Sequence, residues 1–97
     1  DGIFICQSGV SFVQEDEARD THRRLASLFE DSALYVTLVP TYAFGFMTLG
    51  WGARSAMARS TDIQTVGARF EAAKLETRYY TPDIHAACFG LPAYMKY

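Results

Sequence analysis

The sequence predicts an α/β fold in which a small sheet is flanked by helices. Three observations carry this prediction. Residues 2–8 form a short, nearly continuous apolar run that is typical of a strand buried on both faces. Residues 15–29 repeat apolar side chains at three- and four-residue spacing, which is typical of an amphipathic helix. Residues 33–40 alternate aliphatic, aromatic and branched side chains as strands do.

The first strand follows the turn dipeptide Asp1-Gly2 and is expected to end at Gly9. Acidic residues fill the first turn of the helix over residues 15–29, where carboxylates complement the helix dipole. Its apolar face is expected to consist of Ala18, His22, Leu25 and Phe29. A strand that starts directly after a turn is typical of the middle of an α/β protein. We therefore expect this chain to be an internal part of a longer protein.

The second strand is predicted over residues 33–40 and ends at Pro40, which lacks the amide hydrogen that a sheet ladder needs. Residues 41–45 form a turn or loop, and a third strand is predicted from Phe46 to Trp51. A parallel crossover needs a dozen or more residues, so this short connector predicts an antiparallel hairpin.

Two more helices are predicted after the sheet. The first begins near Ser60, with Ser60 or Thr61 as its N-cap. Its apolar stripe is expected to contain Ile63, Val66, Phe70 and Ala73. The second helix begins at Thr81-Pro82, where threonine serves as the cap and proline takes the first helical position.

Composition excludes several classes of partner. Nine basic and eleven acidic residues give a net charge of −2 in a chain of 97 residues, which does not suit a nucleic-acid surface or a polybasic membrane patch. The apolar runs are far shorter than the roughly 20 residues of a membrane span, and no export signal is visible. Cys6 and Cys88 lie in apolar settings without metal-ligand spacing. We expect a cytoplasmic protein without a metal, nucleic-acid or membrane partner.

Polar side chains at the ends of two predicted strands are the first candidates for a binding site. Gln7 and Ser8 end the first strand before Gly9, and Tyr42 belongs to the segment Pro40-Thr41-Tyr42 that ends the second. Ligands of open α/β sheets bind at the carboxyl ends of parallel strands, so the two side chains share an edge if their strands are parallel neighbours. The alternatives are that Gln7 caps a backbone gap and that Tyr42 packs at the edge.

Asp20 is the third candidate. It lies on the first helix outside the apolar stripe, where it could face a cationic ligand or pair with Arg24 one turn later. His22 and His85 are expected to be packing residues, because neither has a nucleophilic partner at a known spacing.

Four collinear segments of the chain resemble the C-terminal half of the spermidine synthase (polyamine aminopropyltransferase) family, especially its bacterial branch. They are residues 2–9 (GIFICQSG), 17–25 (EARDTHRRL), 39–47 (VPTYAFGFM) and 78–92 (RYYTPDIHAACFGLP). The resemblance implies a Rossmann-like, class I methyltransferase-type sheet. It also implies that residues 1–97 are the C-terminal portion of one catalytic domain whose N-terminal part precedes them.

Members of this family transfer an aminopropyl group from decarboxylated S-adenosylmethionine to putrescine. By resemblance, Tyr42 would be the catalytic residue that holds the attacking amine, while Gln7 and Asp20 would bind the far end of the diamine. The donor-binding motif and the catalytic acidic segment of the family are not among these residues. The segment alone is therefore expected to be inactive, to bind no cofactor of its own, and to belong to a homo-oligomer when full length.

Two other functions remain open at this point. A half-domain without catalytic activity could associate with itself or a partner through the exposed edge of the first strand. Alternatively, a related methyltransferase-like enzyme could use another amine acceptor, because pocket residues rather than the fold decide the substrate.

Overall fold

A three-stranded sheet organises residues 2–97, the part of the chain that the computed structural model describes. Asp1, half of the predicted turn dipeptide, lies outside the described residues. The strands are β1 (Ile3–Val10), β2 (Asp31–Thr37) and β3 (Met47–Ala53). The helices are α1 (Glu15–Leu28), α2 (Ile63–Ala73) and α3 (Pro82–Ala87), and a 3₁₀ turn follows at Ala93–Met95. The predicted α/β class is confirmed.

The strands lie in the order β1-β3-β2, and β3 is antiparallel to both of its neighbours. The predicted hairpin of β2 and β3 is therefore confirmed, but β3 lies between β1 and β2, so the condition under which Gln7 and Tyr42 would share an edge, that their strands are neighbours, is not met. The outer edge of β2 is covered elsewhere in the chain, since the Val36 amide donates to the Cys88 carbonyl at 3.0 Å and the Leu38 amide donates to the Tyr79 hydroxyl at 3.2 Å. Strand β3 pairs with the other edge of β2 and therefore lies between β2 and β1.

Strand β1 is less buried and longer than the sequence predicted. Ile3, Phe4 and Ile5 are 47%, 48% and 43% exposed, because β1 pairs along only one edge within the described residues. The strand continues through Gly9 to Val10, with a shift of register after Gln7. Gly9 has a φ of +77°, a conformation that glycine adopts at the bulges that cause such shifts.

Helix α1 lies very close to β3 because two glycines face it. A Cβ atom on Gly50 would lie 2.6 Å from Leu25 Cδ1, and one on Gly52 would lie 2.6 Å from Phe29 Cε2. The helix thereby buries Ala18 and Leu25 of its predicted apolar face. Ala18 also belongs to the buried hydrophobic cluster that it forms with Leu34, Val36 and Met95.

We expect Gly50→Ala to lower the free energy of unfolding by about 1–3 kcal/mol, because overpacking forces side chains or backbone to shift. The new methyl group would also lie 2.9 Å from Thr21 Cγ2 and 3.0 Å from Cys6 Sγ. Gly67→Ala is the matched control, because Gly67 lies inside α2 with no atom within 4 Å of an added Cβ. That change should stabilise the protein by about 0.5–1 kcal/mol. Urea unfolding of the full-length protein measures both, and equal effects would contradict the close approach.

Helices α2 and α3 pack against each other, and α3 leads onto the sheet face opposite α1, where the Phe89 ring packs against Tyr35 and Trp51. Thr81 caps α3 as predicted, since its hydroxyl accepts the Ile84 amide at 3.1 Å. The N-cap predicted for α2, Ser60 or Thr61, is wrong.

Asp62 caps α2, because its carboxylate accepts a hydrogen bond from the Thr65 amide at 2.8 Å. This hydrogen bond lowers the pKa of Asp62. The hydroxyls of Ser60 and Thr61, which the sequence suggested as caps, instead donate to carbonyl oxygens in the preceding turn. These residues therefore belong to the turn, and the helix begins after them.

A partly buried ion pair joins the connection between β3 and α2 to Asp31, the first residue of β2. The Arg59 guanidinium donates to the Asp31 carboxylate at 2.9 Å from Nε and 2.6 Å from a terminal nitrogen, and Trp51 Nε1 donates to it at 3.2 Å. The side chain of Asp31 is only 7% exposed, whereas that of Arg59 is 33% exposed. The hydrogen bond from Arg59 holds the pKa of Asp31 below its ordinary value.

Candidate functional site

The carboxyl ends of β1 and β2 lie at the same edge of the sheet. Val10 and Thr37, the last residues of these strands, both pair with Met47, the first residue of β3. The two strands therefore run in the same direction with one strand between them. The connection over residues 38–46 leaves from this edge and carries Tyr42.

A turn positions Tyr42 at this edge. The Tyr42 amide donates to the Val39 carbonyl at 2.9 Å, and Pro40 occupies the second position of the turn, where its fixed φ is favoured. The connection returns to the sheet through Phe44 and Gly45, which have φ angles of 69° and 123°. The Tyr42 side chain remains 44% exposed, so its phenol is accessible to a ligand.

Gln7 faces the side of the sheet opposite α1. Its neighbour Ser8 donates to Thr21 of α1 at 2.7 Å, and successive side chains of a strand point to opposite faces. The exposed Gln7 pairs in register with Leu49, which in turn pairs with Tyr35. Gln7 thus begins a row of side chains that crosses the sheet on the face away from α1.

The structure does not bring Asp20 to the face that carries Gln7. Asp20 lies on α1, on the other side of the sheet, where it pairs with Arg23 and, at 3.6 Å, with Arg24. The helical pair with Arg24 that the sequence suggested is therefore present, and Arg23 adds a second partner. Tyr42 therefore follows the carboxyl end of β2, Gln7 lies three residues before the carboxyl end of β1 on the face away from α1, and Asp20 lies on the helix-covered side.

An aromatic cavity of about 280 Å³, which sequence reasoning missed, lies between the Gln7 face of the sheet and α3. It is lined by Tyr35, Val36, Thr37, Trp51, Tyr79, Tyr80, Ile84, His85, Cys88 and Phe89. These side chains come from β2, β3 and the segment around α3, so only the fold brings them together. The aromatic and histidine content of residues 78–92 was the one available signal.

The polar groups of the aromatic cavity are few and mostly engaged. The Tyr80 hydroxyl lies 2.7 Å from His85 Nδ1, and the Cys88 thiol donates to the His85 carbonyl at 3.1 Å. Burial raises the pKa of both Tyr35 and Cys88, which keeps the phenol and the thiol protonated at neutral pH. His85 packs against Tyr80, as expected of a packing residue, but it also lines the cavity.

Within residues 2–97, no group of three or more histidine, cysteine, aspartate or glutamate side chains is arranged to hold a metal ion. None of the helices in the same range has the length and apolar character needed to cross a membrane.

Known proteins resemble this chain over nearly all of its length. Residues 1–62 match the family model described as the spermine/spermidine synthase domain. The chain is 50% identical over 96 residues to a polyamine aminopropyltransferase of Ruegeria sp. (strain TM1040), covering 99% of this chain and 34% of that protein. It is 48% identical over 94 residues to a polyamine aminopropyltransferase of Salmonella arizonae, covering 97% and 33%. The chain thus spans about a third of the length of these curated relatives.

The fold has a counterpart among solved structures. The crystal structure of a spermidine synthase from Thermotoga maritima superposes with a TM-score of 0.85 at 22% identity, covering 99% of this chain and 33% of that one. A spermidine synthase in complex with the transition state analogue AdoDATO matches with the same TM-score and identity. The predicted fold, part of a Rossmann-like sheet with a terminal hairpin and flanking helices, is confirmed.

Proposed function

Since this chain belongs to the spermine/spermidine synthase domain family, we propose that it forms part of an enzyme that transfers an aminopropyl group from decarboxylated S-adenosylmethionine to putrescine. The observation that carries the proposal is that β1 and β2 run in the same direction, with the exposed Gln7 three residues before the carboxyl end of β1 and the exposed Tyr42 in the connection that follows β2. Relatives named as polyamine aminopropyltransferases support the reaction class.

The proposed reaction is a displacement at a carbon next to a sulfonium. The nitrogen lone pair of the amine forms a new bond to that carbon, and the carbon–sulfur bond breaks. Its electrons return to sulfur, which leaves as the neutral thioether methylthioadenosine, and the nitrogen loses a proton. The attacking amine must be neutral and aligned, so the protein has to orient it and accept its proton.

The roles proposed for Tyr42 and Gln7 follow from their hydrogen-bonding groups. The Tyr42 phenol can accept a hydrogen bond from the attacking amine and hold its lone pair toward the donor carbon. The carbonyl oxygen of Gln7 can accept from the distal ammonium of the diamine. Residues outside this chain would bind the donor and accept the proton.

Asp20 remains a proposed ligand of the distal ammonium, with weaker geometric support. Its carboxylate is already paired with Arg23 and Arg24, and it lies on the helix-covered side of the sheet. To contribute, Asp20 would have to release its arginines or act through water.

We expect Tyr42→Phe to lower kcat/KM of the full-length enzyme about tenfold, which corresponds to the loss of one hydrogen bond in the transition state. Gln7→Ala is expected to raise KM for putrescine with a smaller effect on kcat. The measurement is release of methylthioadenosine at varied putrescine. Tyr94→Phe serves as the control, because Tyr94 is 40% exposed and its hydroxyl contacts Ser11 on the side of α1. Unchanged kinetics in both test variants would remove the site assignment.

The other functions considered from the sequence differ in their support. A half-domain that only self-associates is not favoured, because relatives at about half identity over the whole chain are enzymes. The identity of the amine acceptor is tested by offering putrescine, cadaverine and spermidine to the same enzyme. We also propose a cytoplasmic homo-oligomer without a nucleic-acid or membrane partner, which size-exclusion chromatography and cell fractionation would test.

A further inference from the structure

The aromatic cavity and Gln7 lie on the same face of the sheet, in one row of residues. Gln7 of β1 pairs with Leu49 of β3, and Leu49 pairs with Tyr35 of β2, which lines the cavity. Neighbouring strands are about 4.8 Å apart, so the backbones at the two ends of this row are separated by about 10 Å. A linear amine bound at Gln7 can therefore run across Leu49 toward the cavity.

The cavity walls are suited to a cation with an alkyl chain. The ring centroids of Tyr35 and Phe89 are 5.3 Å apart, and those of Trp51 and Phe89 are 5.8 Å apart, so three aromatic rings form a continuous wall. Aromatic faces attract ammonium groups, most strongly where water is excluded. The rings also provide apolar contact for methylene groups.

The lining also disfavours an anionic ligand. No lysine or arginine is among the ten residues that line the cavity. The guanidinium of Arg59 lies 5.6 Å from the Phe89 ring centroid and is already bound to Asp31. When the Tyr80 hydroxyl donates to His85 Nδ1, its oxygen keeps a lone pair that can accept from an ammonium.

We propose that the aromatic cavity receives the alkylammonium tail of a linear triamine whose other end lies at Gln7. The inference rests on the proposed function and extends it, because a diamine is too short to occupy both places. At about 280 Å³ the cavity is near the lower limit of small-molecule pockets. It therefore suits a short chain rather than a nucleoside. The cavity would set how strongly the enzyme binds its triamine product or accepts a triamine in place of a diamine.

The test compares spermidine with putrescine in the full-length enzyme. Phe89→Leu, which removes an aromatic face but keeps most of the volume, should weaken spermidine binding about fivefold, measured by calorimetry and by inhibition of putrescine turnover. Putrescine KM and kcat should stay unchanged. Phe89→Tyr should restore spermidine affinity, because it restores the ring. Phe12→Leu is the matched control, since Phe12 is 65% exposed and does not line the cavity.

The outcomes separate this inference from the proposed function. Equal spermidine affinity in the wild type and in a folded Phe89→Leu variant overturns the inference, and so does an equal loss for putrescine. If Phe89→Leu unfolds, Tyr80→Phe supplies the test through the hydroxyl bound to His85, and unchanged spermidine affinity in that variant is again contrary. Absence of putrescine turnover in the wild type refutes the proposed function, while the calorimetry still reports on the cavity.

Discussion

Replacing Arg59 by methionine is expected to lower the free energy of unfolding by about 3 kcal/mol at neutral pH, because it leaves a buried carboxylate without its countercharge. Asp31 would keep only the hydrogen bond from Trp51 Nε1, and its side chain is 7% exposed. Asp31→Asn should cost less, because Arg59 is one-third exposed and can turn to water. The double variant should be more stable than Arg59→Met alone.

The pH dependence gives this prediction a sign. The pKa of Asp31 is lowered in the folded protein, so its contribution to stability is present above the unfolded pKa of about 3.9 and is lost as pH falls through the folded pKa. In Arg59→Met, burial raises the folded pKa instead, and the destabilisation applies above that value. The difference between wild type and variant should therefore shrink as pH falls from neutrality toward 4.

Urea unfolding of the full-length protein at a series of pH values measures this effect. Arg54→Met is the control, because Arg54 is exposed in the same connection, and its stability should stay within about 0.5 kcal/mol of wild type. A difference between wild type and Arg59→Met that is independent of pH would show that Arg59 acts through packing on Phe89 rather than through its charge.

Met95→Ala is expected to cost about 3 kcal/mol, as for other large-to-small changes in a core. Met95 is 1% exposed and packs with Ala18 and Leu34, so it joins α1 to β2. Its sulfur accepts a hydrogen bond from the Ser11 hydroxyl at 3.1 Å, and Ser11 is fully buried. The truncation therefore leaves both a cavity and a weakened polar contact.

Two variants separate these contributions of Met95. Met95→Leu keeps the volume and should cost less than about 1.5 kcal/mol. Lys96→Ala, at an exposed neighbouring position, should have almost no effect. Denaturant midpoints of the full-length protein report all three changes. If Met95→Ala and Lys96→Ala were equally mild, Met95 would not be part of the core.

Local signals in the sequence were sufficient to predict the helices and strands, but not the order of the strands in the sheet. The apolar spacing that buries Ala18 and Leu25 is a property of one helix, and the short connector at Pro40 permits only a hairpin. Which edge of β2 the hairpin strand takes depends on hydrogen bonds from Val36 to Cys88 and from Leu38 to Tyr79. Those contacts span more than 40 positions in sequence, beyond any periodic pattern.

The candidate site divides in the same way. The parallel direction of β1 and β2 could be predicted because a helix connects them, but neither the insertion of β3 between them nor the position of Gln7 three residues before the end of β1 could be. Asp20 could not be assigned to a face of the sheet, since the choice between Arg24 and a ligand depends on where α1 packs. The aromatic cavity combines Tyr35 and Trp51 with the segment after α2, so no single stretch of sequence reveals it.

Because backbone amides on the outer edge of β2 are already hydrogen-bonded, further strands can extend this sheet on one side only. The Cys88 carbonyl and the Tyr79 phenol occupy backbone amides that an incoming strand would need, whereas β1 has no such cover within residues 2–97. Additional strands can therefore be added only beyond β1. A sheet terminated in this way cannot serve as a repeating template, so indefinite edge-to-edge stacking into fibres is blocked by its architecture.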